Sequence, residues 1–247
     1  MTTLFFEIFN SELPRQGPGD ATSTLKALAP VPGLAPTTRV LDVGCGTGPQ
    51  TLALAQSSGA HIVAVDTHAP FLHALVRQAR MLGIADRIDA HIRDMRQLDF
   101  LPGSFDLIWC ESAIYIMGFE AALREWRKLL RVEGHMVVSE VCWTRPNPPP
   151  ECAAFWASEY PAIRHVPEML TTIEECEYAI VDHFTLPSSS WWDDFYGPLQ
   201  ESVKAFRERH LEEADAEQAA GQIQREIDMW HAYGDFYSYE FFVMRVR

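Results

Sequence analysis

Val40-Leu41-Asp42-Val43-Gly44-Cys45-Gly46-Thr47-Gly48 is an apolar strand that runs straight into a glycine-dense turn. Such a turn lets a ligand lie against bare backbone amides at a helix start, where outward-pointing N–H groups attract anionic groups. Pro49 suits the first turn of that helix, where a missing N–H costs nothing. A nucleotide-like cofactor is implied, and the spacing narrows the choice. A dinucleotide fingerprint, Gly-x-Gly-x-x-Gly counted from Gly44, needs its third glycine at position 49, which is Pro49. The glycines stand instead at 44, 46 and 48, with Asp42 ahead of them.

Outward from this turn, strand and helix patterns alternate through the first 145 residues, which implies a parallel sheet covered on both faces. Residues 39–43 read as the first strand and 62–65 as the second, which ends at Asp66. A helix over 69–82 follows and stops at Gly83. Residues 88–92, 106–110 and 136–141 read as strands three to five, with an amphipathic helix over 121–130 closed near Gly134. The run 145–150 is too proline-rich to join any element and reads as a stiff connector. Beyond it, 151–178 suggests helices, 179–184 a sixth strand, 191–232 one long helical stretch and 237–246 a closing strand.

The expected fold is therefore α/β: a Rossmann-like, doubly wound, mostly parallel seven-stranded sheet with the last strand antiparallel, plus helical cap insertions. A single domain over 1–247 divides into a cofactor-binding core at 36–145 and a helical cap at 146–178 and 188–235. Ligands of open α/β sheets bind beyond the carboxyl ends of the strands, where such a cap would roof the site.

The chain of 247 residues carries a net charge of −14, which argues against a polyanionic partner such as nucleic acid, since no lysines and arginines cluster to neutralise phosphates. Half of the excess lies in 188–235, where eleven acids face four bases, the pattern of a solvated helix face. Five cysteines (45, 110, 142, 152, 176) show no CxxC pairing and read as reduced thiols. The start of the chain has no signal-peptide pattern, and no apolar run approaches the ~20 residues of a membrane span. The expectation is a cytoplasmic protein with no membrane partner; the oligomeric state is left open.

The segment from Asp42 to Gly48 resembles motif I of the class I S-adenosylmethionine (SAM)-dependent methyltransferases. The resemblance is specific over 36–145, and the pattern broadly resembles the small-molecule enzymes of the ubiquinone/menaquinone type. It implies a turn at Gly44, Gly46 and Gly48 for the methionine tail, with Asp42 orienting its amine. Asp66 falls where an acid grips the ribose diol, since a carboxylate accepts two hydrogen bonds; capping the next helix is compatible with that role. Arg93-Asp94-Met95 resembles the adenine site, Asp94 accepting from the adenine amino group and the backbone of Met95 meeting the ring. Trp109 to Tyr115 resembles motif IV, where cofactor and substrate meet, and Glu111 there serves one or the other. In related methyltransferases a segment like Leu13 to Asp20 folds over the cofactor, which puts Arg15 or Gln16 near the SAM carboxylate.

Aromatics are the best clue on the substrate side. Trp191, Phe195 and Pro198 share a helical face that reads as core or as an apolar substrate wall, and Trp143 and Tyr115 stand close by in sequence to the strand ends. No histidine has metal-ligand spacing, so no metal is expected, and His165 alone lies in a segment that approaches the site. Glu111, Tyr115, His165 and Tyr196 are the candidate bases. Asn147-Pro148-Pro149-Pro150 looks like a nucleobase-methyltransferase motif but lies beyond strand five and ends in proline, so it reads as linker. The resemblance implies transfer of the SAM methyl to an O, N or C nucleophile of a small molecule, leaving S-adenosylhomocysteine (SAH). The rivals are a non-catalytic SAM-binding scaffold and a nicotinamide-dependent oxidoreductase.

Overall fold

Neighbouring residues of the central strands face opposite ways, and both faces are apolar. The computed structural model describes residues 3–247. Its strands are β1 (Arg39–Val43), β2 (His61–Asp66), β3 (Ile88–Ile92), β4 (Phe105–Cys110), β5 (Leu130–Trp143), the two-residue β6 (Arg164–His165), β7 (Tyr178–Thr185) and β8 (Tyr237–Val246). They lie in the order β3-β2-β1-β4-β5-β8-β7, with β6 paired to the end of β5. β8 runs antiparallel to both its neighbours, and β1 to β5 pair in parallel. Val40, Ile62, Leu107 and Val137 enter one core layer; Leu41, Val63, Ile108 and Val138, one residue on, enter the other. Burial on both faces explains why these strands read as continuous apolar runs.

The helices are α1 (Thr3–Ile8), α2 (Ala21–Leu28), α3 (Pro49–Ser57), α4 (Ala69–Met81), α5 (Phe119–Arg127), α6 (Pro150–Glu159), α7 (Val166–Glu175), α8 (Ser189–Trp191), α9 (Gly197–Arg209) and α10 (Ala214–Tyr233). α2, α3 and α4 fill the first layer and α5 and α7 the second. α6, α9 and α10 bury Trp156, Phe206 and Ile227 in the first layer's core and extend it past the sheet.

Four expectations need correction. The stretch 191–232 is not one helix: α8 passes through a π-turn at Trp192–Tyr196 into α9, which ends at Arg209 before α10 begins. Charge marks that break, because Arg207 and Arg209 close α9 and Asp215 and Glu217 open α10, each matching its helix dipole. Gly134 does not close α5, which stops at Arg127. It lies within β5, where Arg131 to Gly134 bulge out of register between the pairs Phe105–Leu130 and Leu107–His135. Pro150 does join an element, as the first residue of α6. Within 146–178, α7 packs against β7 and α5 on the second layer, so α6 is the part of that segment on the cap side.

The glycine turn is also a packing joint. Gly48 has φ +80°, and a Cβ there would lie 2.3 Å from Cδ1 of Leu75 on α4. Gly48→Ala should therefore cost about 2–4 kcal/mol, from left-handed strain plus overpacking. Calorimetry should record a Tm lower by roughly 5–15 °C; an unchanged Tm would mean that the turn tolerates a side chain.

Candidate functional site

A cavity of about 220 Å³ opens where β1 to β4 end. Its walls are the glycine turn, Asp66 to His68 after β2, Arg93 to Arg96 after β3, Glu111 to Ala113 after β4, and a strap formed by Arg15 to Pro18. Each wall follows the carboxyl end of a parallel strand or crosses above one, which is why residues far apart in sequence converge.

Hydrogen bonds set the shape of the turn. The amides of Gly44 and Cys45 donate to the Val65 carbonyl at 2.9 and 3.0 Å. The Gly46 amide donates to Oδ2 of Asp66 at 2.9 Å, and Oδ1 of Asp66 accepts from the His68 amide at 2.8 Å. Asp66 keeps free lone pairs toward the cavity, since a carboxylate has about four acceptor positions. The Thr47 hydroxyl, at the start of α3, is buried and without a protein partner.

Asp42 departs from its expected position. Its side chain is fully buried behind the turn and faces α3, where Oδ2 accepts from the Thr51 hydroxyl and Oδ1 from Gln50 Nε2. Burial pushes its carboxyl up to about 7; the Thr51 bond opposes this, while Glu111 and Asp66 add to it. Asp42 thus positions α3 and the turn and does not line the cavity. Gly48 likewise meets Leu75 and not the cavity.

The strap is held by Glu111. Oε2 accepts from Arg15 Nη1 at 3.0 Å, and Oε1 accepts from the Thr24 hydroxyl at 2.7 Å and from Trp109 Nε1 at 2.9 Å. With both oxygens engaged, Glu111 is a structural anchor at the cavity wall. Asp20 caps α2 through the Ser23 amide at 2.7 Å and accepts from the Ser190 hydroxyl. Burial opposes ionisation there, but the Ser190 and Ser23 bonds hold its carboxyl below the usual value.

A second cavity, of about 430 Å³, lies between the strap and the cap helices. It shares Gln16, Gly17, Pro18, Ser112 and Tyr115 with the first and adds Trp156, Trp191, Phe195 and Glu226 from the cap. Tyr115 bridges the two and stacks edge-on against Tyr160, centroids 6.0 Å apart. Although open to the cavity, Tyr115 is surrounded by protein, and burial with Glu226 and Glu140 pushes its hydroxyl up to about 12. It is no base near neutrality.

Of the candidates, Arg15, Gln16, Gly44, Gly46, Asp66, Asp94, Met95, Glu111 and Tyr115 line the first cavity, and Trp191 lines the second. Trp143, His165 and Tyr196 line neither. Trp143 pairs with His165 along β5 and β6, and the Tyr196 hydroxyl donates to Glu226 at 2.8 Å. Sequence reasoning missed Phe5 and Phe6 on α1 and Phe9 just after it, which line the first cavity. Phe6 stacks on His68 at 3.7 Å. Their spacing at 5, 6 and 9 on one helical face was the available signal.

A Rossmann-like sheet with a glycine turn and an acid at the end of β2 is an arrangement suited to a nucleotide-like cofactor. Residues 40–134 match the model of a family described as a methyltransferase domain. The fold is that of the class I SAM-dependent methyltransferases. Over all of this chain and 99% of the other, it superposes on a SAM-dependent methyltransferase from Geobacter sulfurreducens in complex with SAH, with TM-score 0.85 and 20% identity. The chain is similar to methyltransferase GfsG of Streptomyces halstedii, 31% identical over 104 residues, which are 42% of this chain and 37% of that protein. It is also similar to phosphoethanolamine N-methyltransferase 1 of Arabidopsis thaliana, 26% identical over 133 residues, 53% of this chain and 27% of that protein. The chain therefore spans about a quarter to a little over a third of the length of these relatives. Among the described residues no helix is long and apolar enough to cross a membrane.

Two outcomes test the site. Removing one partner of a buried ion pair leaves an unpaired charge, so Glu111→Ala should cost roughly 3–5 kcal/mol; a denaturant midpoint equal to the parent's would refute the anchor role. For Asp42, whose folded value lies above its ordinary 3.8, stability is fully present below about pH 4 and lost as pH rises through 7. Without added ligand, the Tm of the parent should fall relative to that of Asp42→Asn across this window, and parallel curves would mean that the carboxyl stays ionised.

Proposed function

We propose that this chain is a SAM-dependent methyltransferase that moves the sulfonium methyl to an O, N or C nucleophile of a small molecule by in-line displacement. The observation that carries this reading is the pair of cavities meeting at Gln16, Ser112 and Tyr115: one built on the glycine turn, the other walled by the cap. Donors and acceptors of the first cavity fit SAM in kind. Its amino-acid tail would lie along Gly44 and Gly46, near the unpartnered Thr47 hydroxyl, with Arg15 and Gln16 above. Asp66 would accept from the ribose diol, and Asp94 and Met95 would border the adenine. When bound, SAM supplies an already activated methyl group, so this chain's contribution is alignment and exclusion of water. The strap and cap do both, and Ser112, whose hydroxyl donates to the Pro18 carbonyl at 2.8 Å, ties the strap to the end of β4.

No nucleic-acid partner is proposed, because the net charge is −14 and a phosphate backbone needs cations. Five buried, unpaired cysteines support a reducing, cytoplasmic setting.

Calorimetric titration with SAM, SAH and NADH tests the reading. Both adenosyl ligands should bind and NADH should not. Asp66→Ala should weaken SAH by roughly 10–100-fold, the loss of hydrogen bonds to a charged group. Gly46→Val should abolish binding, because even a Cβ at 46 lies 3.2 Å from the Gln16 side chain and narrows the slot. Parent-like affinity in both variants would sink the assignment, and NADH binding alone would favour an oxidoreductase.

A further inference from the structure

Glu226, on the inner side of α10, lines the second cavity. One carboxylate oxygen accepts from the buried Tyr196 hydroxyl at 2.8 Å, and the other accepts no hydrogen bond from the described residues. Among the described residues no basic side chain is within ion-pair distance of it. Glu159 at the end of α6 lines the same cavity. Arg225 is the one cation on the wall; it is exposed, and its Nη1 runs back along α10 to within 3.7 Å of the Cβ position of Gly221.

Aromatic side chains are the largest part of the remaining wall, among them Phe155, Trp156, Trp191, Phe195 and Tyr239, with Tyr115 at the junction; Gln16, Ser112 and Gln222 add neutral polar groups. Trp156 is nine-tenths buried, and its Nε1–H has no protein partner. Even a part-buried carboxylate without a counter-ion carries a desolvation cost. Aromatic faces around it attract cations and repel anions. A π-rich slot with one unpaired carboxylate oxygen is thus complementary to an organic cation. A phosphorylated acceptor would meet Glu226 and Glu159 and find only the rim guanidinium of Arg225.

Resting on the methyltransferase reading, we propose that the acceptor is an amine: an aromatic or otherwise apolar small molecule whose basic nitrogen docks on Glu226 inside the cap. The nitrogen must react as the free amine, so its ammonium proton passes to the Glu226 carboxylate and from there to solvent. The net change converts R–NH3⁺ and SAM into R–NH2CH3⁺, SAH and one released proton, with a C–S bond broken and an N–C bond formed. Burial and the neighbouring Glu159 both raise the Glu226 carboxyl above its ordinary value, against the Tyr196 bond, which suits a group that takes up a proton transiently.

Three matched probes separate the chemistries: 2-phenylethylamine, 2-phenylethanol and 2-phenylethyl phosphate, each titrated calorimetrically with and without SAH. The amine should bind at least tenfold more tightly than the alcohol, and the phosphate most weakly. Glu226→Gln, which keeps the Tyr196 hydrogen bond, should cut amine affinity at least tenfold while SAH affinity stays within twofold. Glu159→Gln, at an exposed position that cannot threaten the fold, should cut it by about threefold. Equal binding of amine and alcohol, preference for the phosphate, or amine affinity indifferent to both substitutions would overturn the proposal. Failure of SAH to bind the parent would overturn the methyltransferase reading instead, and the probes without SAH would still report on Glu226.

Discussion

Burying the Glu111 carboxylate, 3% exposed, carries a desolvation cost of several kcal/mol, offset by donors from three separate parts of the chain. Arg15 comes from the strap, Thr24 from α2 and Trp109 from β4. The bonds are mutually dependent, because loss of any donor leaves charge in a dry place. The strap is thereby fixed above the glycine turn, and α2 is fixed beside α3. The Asp20–Ser190 hydrogen bond extends the same linkage to α8 and so to the cap. Glu111 shares the task of holding this roof over the first cavity with the Ser112–Pro18 and Gly19–Ser190 hydrogen bonds.

The sheet supplies the floor on which this linkage acts. Because β1 to β5 are parallel, their carboxyl ends gather the turn, Asp66, Asp94 and Glu111 at one edge. The helices inserted between β5 and β7 (α6) and between β7 and β8 (α9 and α10) join the core of the first helix layer, and residues of α6 and α10 wall the second cavity. Most acids of 188–235 behave as solvated charge; Glu217 pairs with Arg207 at 2.9 Å on the surface, a contact of small energetic weight. Glu226 differs from them in facing inward, and its consequence for ligand choice follows from position alone.

Much of this architecture was legible. β1, β3 and β8 follow the sequence pattern to the residue, and β2, β4 and β7 to within one or two; for β1, β2, β4 and β8 the reason is burial on both faces, which leaves apolar runs between turn residues. The break between α9 and α10 was missed, since no glycine or proline marks it and only the reversal of charge does. The face chosen by α7 was also hidden: Met169 and Ile173 are an apolar stripe that fits either layer. Asp42 was misread in part. A carboxylate before a glycine turn signals a ligand role, yet the side chain turns under the loop to Thr51 and Gln50.

Local backbone demands and hydrophobic period are written residue by residue, and they made the glycine turn and its spacing, the alternation of strands and helices, and the acids at the ends of β2 and β3 readable from the sequence. Only the tertiary structure decided that Glu111 is an anchor, that α1 contributes aromatics to the cavity, and that Tyr196 and Glu226 meet across 30 residues. Those outcomes depend on which layer each helix joins and which side chains lose water together. That is a property of the packed whole, and no window of sequence contains it.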